Sequence, residues 1–158
     1  MGFPDGPSAG APVGLAKPGV GVLRAASYAS FYQDNPGALG SGTYAQSFPV
    51  PKGFSSAQEL TWLACRVDFP FGPGEQALIR VYRYRKPNPG GAFSYTQITD
   101  AVTFDSSYDW SWTYPFLGAI RDFDLNPDTD SLAISNVYTA GGAPSARALR
   151  VDIALGDR

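Results

Sequence analysis

Hydrophobic and polar residues alternate along most of this chain, and from Gly19 onward the dominant period is two, the spacing of β-strands. "GVGVLRA" and "SYASFYQ" predict weak strands. "TYAQSFPV" sends Tyr44, Gln46, Phe48 and Val50 to one side before the turn "PKG". "ELTWLACRVDF" is apolar on both faces at its centre, as in a strand covered on two sides. The turn "GPGEQ" leads to "ALIRVYRYR", and "KPNPGG" leads to "FSYTQIT" and "AVTF". "DWSWTYPF" follows, with Trp110, Trp112, Tyr114 and Phe116 on alternate positions. "SLAISNVYT" and "RALRVDIAL" complete the set; in the last, Leu149, Val151, Ile153 and Leu155 oppose Arg150, Asp152 and Ala154. About eight strands result, and no period of 20 to 50 residues recurs.

Composition sharpens this into a fold class. Among 158 residues are 18 Gly and 14 Pro, punctuation too dense for long helices and suited to short strands joined by turns. A chain of this length forms one domain and buries roughly 70% of its unfolded surface without covalent staples. Strands joined by loops of unequal length predict an all-β fold: a single antiparallel β-sandwich of jelly-roll type, with an up-and-down barrel as the competing architecture. Residues 1–18, "MGFPDGPSAGAPVGLAKP", hold four Gly and four Pro without a periodic apolar pattern and are expected to form an extended N-terminal arm. The sandwich is expected to span 19–158.

Charge and rare residues then remove functional classes. A net charge of −2 lacks the basic footprint of a nucleic-acid binder. There is no apolar run of about 18 residues, and "MGFPDGPSAG" lacks the basic start and apolar stretch of a signal peptide, so synthesis in a cytoplasm without a leader is expected, with any membrane contact indirect. The chain has no histidine, which removes the commonest general base and most catalytic zinc and non-haem iron sites. With one cysteine, Cys65, no internal disulfide forms; it sits in an apolar strand, where a buried inert thiol is expected and an intermolecular disulfide is the alternative.

Three stretches carry candidate chemistry. The rings of "DWSWTYPF" suit either a saccharide-stacking platform, which needs them exposed, or the inner face of a strand; strict alternation with small polar partners favours the strand. "DFDLNPDTD" places Asp122, Asp124, Asn126, Asp128 and Asp130 as in a calcium loop, but no Gly stands at the turning position and Ala133 occupies the twelfth, where a Glu would close the site. A strand followed by an Asn-Pro-Asp turn explains it better. "RVYRYRK" interleaves basic and aromatic residues, yet alternation puts Val81, Arg83 and Arg85 on one face and Arg80, Tyr82 and Tyr84 on the other, separating any phosphate track from any stacking platform. No nucleophile elbow, phosphate-cradling loop or dinucleotide fingerprint is present, and Glu59 and Glu75 are the only glutamates. No catalytic residue, cofactor or metal is therefore assigned.

From about Thr43 to Leu155 the succession "FPVPKGF", "ELTWLACRVDF", "ALIRVYRYR", "LGAIRDFDLNPDTDSLAISNVY" and "ALRVDIAL" resembles the jelly-roll proteins of bacteriophage particles. Two kinds are meant: the single-jelly-roll capsid proteins of icosahedral phages with an internal membrane, and the decoration and head-fibre domains of tailed phages. The resemblance implies a non-enzymatic structural subunit of a virion, self-associating and contacting other capsid proteins. The arm would make such contacts through its few apolar anchors, Phe3, Val13, Leu15 and Val20. The alternative is a carbohydrate-binding module or the adhesive domain of a phage fibre. Exposure of Trp110, Trp112 and Tyr114 around a shallow groove would favour this alternative, and their burial the capsid reading.

Overall fold

The computed structural model describes residues 26–33, 42–53, 55–85, 90–92, 94–140, 142 and 145–158. The strand expected in "GVGVLRA" and the anchors Phe3, Val13, Leu15 and Val20 lie outside the described residues. Nine strands are present among those described: β1 (Ala26–Gln33), β2 (Gly42–Pro49), β3 (Gln58–Arg66), β4 (Gln76–Arg85), β5 (Ser94–Gln97), β6 (Val102–Asp105), β7 (Tyr114–Pro115), β8 (Asp130–Thr139) and β9 (Leu149–Asp157). The one helical element among them is a 3-10 turn at Leu117–Ala119.

The strands form two antiparallel sheets, in the orders β1-β9-β3-β7 and β2-β8-β4-β5, with β6 continuing β5 along the same edge of β4. The chain thus passes back and forth between sheets, and its last strands insert between its first ones. That interleaving defines a jelly roll. Against the expected count of about eight, nine strands are described, and the edge beside β4 is shared by two short ones, as the separate stretches "FSYTQIT" and "AVTF" suggest. β5 pairs with Tyr82–Arg85 and β6 with Gln76–Ile79. Between them the buried Thr99 hydroxyl accepts the Val81 N–H at 3.0 Å, substituting a side-chain oxygen for the missing ladder partner.

Alternation fixes which residues enter the core. Val151, Ile153 and Leu155 of β9 face Ile79, Val81, Leu132 and Ile134 of the other sheet, all fully or almost fully buried. β3 departs from strict alternation through a bulge. Ala154 opposes Trp62 while Leu155 opposes Leu60, so Thr61 is the extra residue and both Leu60 and Leu63 point inward. The turn before β4 is set by Pro73 and Gly74: the Glu75 N–H donates to the Gly72 carbonyl at 3.0 Å, with Gly74 at a φ of 76°, a left-handed conformation that glycine adopts without penalty.

One end of the core is aromatic. Phe104, fully buried, packs against Phe71, Tyr108, Tyr114 and Phe116 at centroid distances of 5.6, 5.1, 6.3 and 6.2 Å. It therefore joins the β3–β4 loop, β6 and the segment that enters β7. Truncating Phe104→Ala removes the ring all four touch, and we expect a loss of about 3–5 kcal/mol in urea unfolding, against about 1 kcal/mol for Phe104→Leu.

Candidate functional site

Strand directions place residues 67–75, 106–113 and 145–148 at one end of the sandwich and residues 50–53, 55–57 and 116–129 at the other. The acidic stretch 122–130 belongs to the second end. It is not a strand: only Leu125 bridges, to Gln58, and a turn at 127–129 precedes β8. Its alternation survives as orientation, with Leu125 buried and Phe123 half-buried against the core. Each acid is paired with a base. Arg158 lies between Asp122 and Asp124, Lys52 meets Asp128 at 2.9 Å, and Asp130 takes a bidentate contact from Arg85, with Nη2 at 2.9 Å. The Asn126 side chain accepts the Asp128 N–H at 2.8 Å, closing the turn. Among the described residues no three Asp, Glu, Cys or His side chains come together as a metal site would require.

The basic strand is likewise committed to packing. Arg83 donates to the Thr96 hydroxyl at 3.1 Å and its guanidinium lies 4.8 Å from the centre of the Phe123 ring. Tyr84, on the opposite face, stacks on Tyr95 at 5.1 Å. Cys65 is buried, and burial, followed by the nearby Asp152 charge, pushes its thiol far above the usual range, leaving it unreactive.

At the first end, Glu75 organises the loops. Its carboxylate, almost wholly buried, accepts the N–H groups of Gly72 at 2.6 Å, Ser145 at 3.0 Å and Ala146 at 3.1 Å, and the Tyr138 hydroxyl at 2.5 Å. Burial alone would raise its pKa, but the Tyr138 hydroxyl and the three backbone donors outweigh it and hold the carboxyl below the ordinary value. Burial and the Glu75 charge push Tyr138 far up, so this phenol remains a donor.

The expected inner row "DWSWTYPF" divides here. Asp109 accepts the Ser111 N–H at 2.9 Å and the Ser111 hydroxyl at 2.8 Å, forming a tight turn, and β7 begins only at Tyr114. Tyr114 and Phe116 are half-buried against the core. Trp110 and Trp112 are 48% and 65% exposed, contrary to their expected burial. The alternation was real but the residue at its head, an Asp two before a Ser, favours an Asx turn over a ladder.

The outer face of the β1-β9-β3 sheet carries a second aromatic group that the strand pattern left unremarked. In "SYASFYQ", Phe31 faces the core, so Tyr28 and Tyr32 face outward. Cross-strand register makes Tyr28, Ala154 and Trp62 one row and Tyr32, Arg150 and Arg66 another. The signal was present in the alternation of Tyr with Ala and Phe, but which side meets the second sheet depends on the pairing. No family model matches the chain, and no curated protein does so.

Two measurements test this electrostatic picture. Glu75 and Asp130 both titrate below their ordinary range in the folded chain. In Asp130 the bond from Arg85 leads the contributions that outweigh burial, followed by the Asn126 N–H. A carboxyl depressed on folding adds stability that is complete above its unfolded pKa of about 4 and is lost as pH falls through the folded value. The melting temperature should therefore be nearly flat from about pH 7 to 5 and fall below about pH 4. Glu75→Gln should lower stability at pH 7 by about 2–4 kcal/mol and flatten the acid limb. Excess chelator should leave the melting temperature unchanged, since a cation held only by the native state would add stability by mass action; a drop of several degrees would reverse the assignment of 122–130.

Proposed function

We propose that this chain is a non-enzymatic structural subunit of a bacteriophage particle, residing in the virion and joining its neighbours through an N-terminal arm and the edges and faces of its sheets. The observation that carries the reading is the strand order β1-β9-β3-β7 over β2-β8-β4-β5, the jelly-roll architecture that the resemblance to phage particle proteins implies. Fold does not by itself define function, so the surface supplies the second support. Tyr28, Ala154 and Trp62 form an apolar row on an outer face, where Tyr28 and Trp62 remain exposed, as a contact with another subunit requires. Among the described residues β1 pairs only with β9, so the row starts on the outermost described strand of its sheet. The partners in this reading are further copies of the chain and other capsid proteins; no nucleic acid is assigned.

A second reading, a carbohydrate-binding or adhesive domain of a phage fibre, is favoured by one observation, the exposure of Trp110 and Trp112 on a tight turn at the loop end. Indole rings so presented stack on sugar rings.

Deleting residues 1–18 separates the arm from the fold. The truncated protein should still unfold cooperatively, and in sedimentation velocity it should lose the oligomers of the intact chain or fail to enter particles. If the truncated chain were unfolded while the intact chain sedimented as a monomer at every concentration, the assembly role of the arm would be refuted.

A further inference from the structure

The stretch "DSSYDWSW", Asp105 to Trp112, repeats one four-residue pattern: an acid, a spacer, a serine and an aromatic ring. Each acid makes the same turn. Asp105 Oδ1 accepts the Ser107 N–H at 2.9 Å and the Ser107 hydroxyl at 2.6 Å, as Asp109 does with Ser111. In both, the backbone closes three residues on, Tyr108 N–H to the Asp105 carbonyl and Trp112 N–H to the Asp109 carbonyl, each at 3.2 Å. The turns differ in where the ring goes. Tyr108 packs on Phe104, Tyr114 and Phe116 at 5.1, 4.9 and 5.5 Å, whereas Trp112 stays exposed. The outer turn is tied to that aromatic cluster, because the Asp109 N–H donates to the Tyr114 hydroxyl at 2.9 Å. The Trp112 side chain also bonds the Asp109 carboxylate, which fixes the ring as well as the backbone.

A ring held in place before binding loses little freedom when a ligand arrives. Its surroundings decide which ligand that is. Ser106, Ser107, Ser111 and Thr113 are exposed around the two indoles, so the apolar faces are bordered by hydroxyls, which can donate and accept hydrogen bonds. Such a border suits a ligand with an apolar C–H face and a hydroxyl rim; a protein contact would ring its aromatic anchors with groups that exclude water. From residue 101 to 120 there is no Lys or Arg, and Asp105 and Asp109 are the charged residues. The Ser111 N–H, then the Ser111 hydroxyl and the Trp112 side chain, hold the Asp109 carboxyl below its ordinary range, so it is ionised at neutral pH. An anionic ligand therefore meets a carboxylate here and no base.

We infer that the turn 109–112 binds neutral hexopyranose glycans, with Trp110 and Trp112 as stacking faces and Asp109 as the positioning residue that fixes Trp112 and disfavours uronic acids. Such a site belongs to the carbohydrate-binding reading of the chain and rests on it. Two roles of Asp109 are separable. Its oxygen shapes the turn, and its charge sets selectivity. An Asn keeps the first and loses the second.

The test is titration of the full chain, followed by amide NMR, with the methyl glycosides of glucose, galactose and mannose and with the uronides of glucose and galactose. Saturable shifts centred on residues 109–113 are expected with at least one neutral glycoside. A uronide should bind about threefold more weakly at low ionic strength, the effect of two like charges about 6 Å apart in water. Trp112→Ala should weaken binding about tenfold while melting as the parent does, since the ring is exposed. Asp109→Asn should leave neutral binding within about twofold and abolish the uronide penalty, whereas Asp109→Ala should weaken neutral glycosides and uronides together. Saturable shifts centred elsewhere, uronides bound as tightly as neutral sugars by the parent, or loss of neutral binding in Asp109→Asn each overturn the inference and leave the carbohydrate reading standing. No response to any saccharide overturns both.

Discussion

The Glu75 carboxylate ties two of the end loops, those that carry the chain between the sheets, to strand β8. It stands immediately before β4 and receives hydrogen bonds from β8 through Tyr138, from the β3–β4 turn through Gly72 and from the β8–β9 loop through Ser145 and Ala146. All of these donors are neutral. The buried charge is stabilised by dipoles converging on it, an arrangement that works only while every donor stays in place. Ala148, at a φ of 57°, stands two residues beyond this clamp.

The opposite end is held by ion pairs of graded burial. Arg85 and Asp130 close the last rung of the β4–β8 ladder, with the Asp130 side chain fully shielded, while Lys52 with Asp128 and Arg158 with Asp122 and Asp124 lie in water. Exposed pairs contribute little individually, whereas the shielded bidentate pair fixes register. The same acids that resemble a cation loop in one dimension are distributed among three basic residues in three dimensions. Phe104 and its neighbours do for the loop end what these pairs do for the other, with dispersion and burial in place of charge.

The aromatic residues divide between these tasks and the surface. Phe71, Phe104, Tyr108, Tyr114 and Phe116 build the core at the loop end, and Tyr84 with Tyr95 covers an edge. Tyr28, Tyr32, Trp62, Trp110 and Trp112 remain accessible, spread over one outer face and one turn. On that face the row of Tyr28, Ala154 and Trp62 and the row of Tyr32, Arg150 and Arg66 lie four residues apart along each strand, about 13 Å.

The period-two pattern by itself determined the β class, the turns between strands and the inward residues of β9, since alternation on a pleated strand leaves one choice of face once a core exists. Composition alone removed histidine chemistry and internal disulfides. Pairing lay beyond the sequence: which strands are neighbours, and so whether Arg150 meets Arg66 or Asp122 meets Arg158, is decided by contacts between residues 84 and 36 positions apart. Local competition also lay beyond it. The ladder that "DWSWTYPF" suggests loses to the hydrogen bonds Asp109 makes two residues onward, and the bulge at Thr61 turns Leu63 inward where simple alternation from Leu60 would turn it out. The sequence specifies the faces each strand can offer, and the sandwich decides which of them meet.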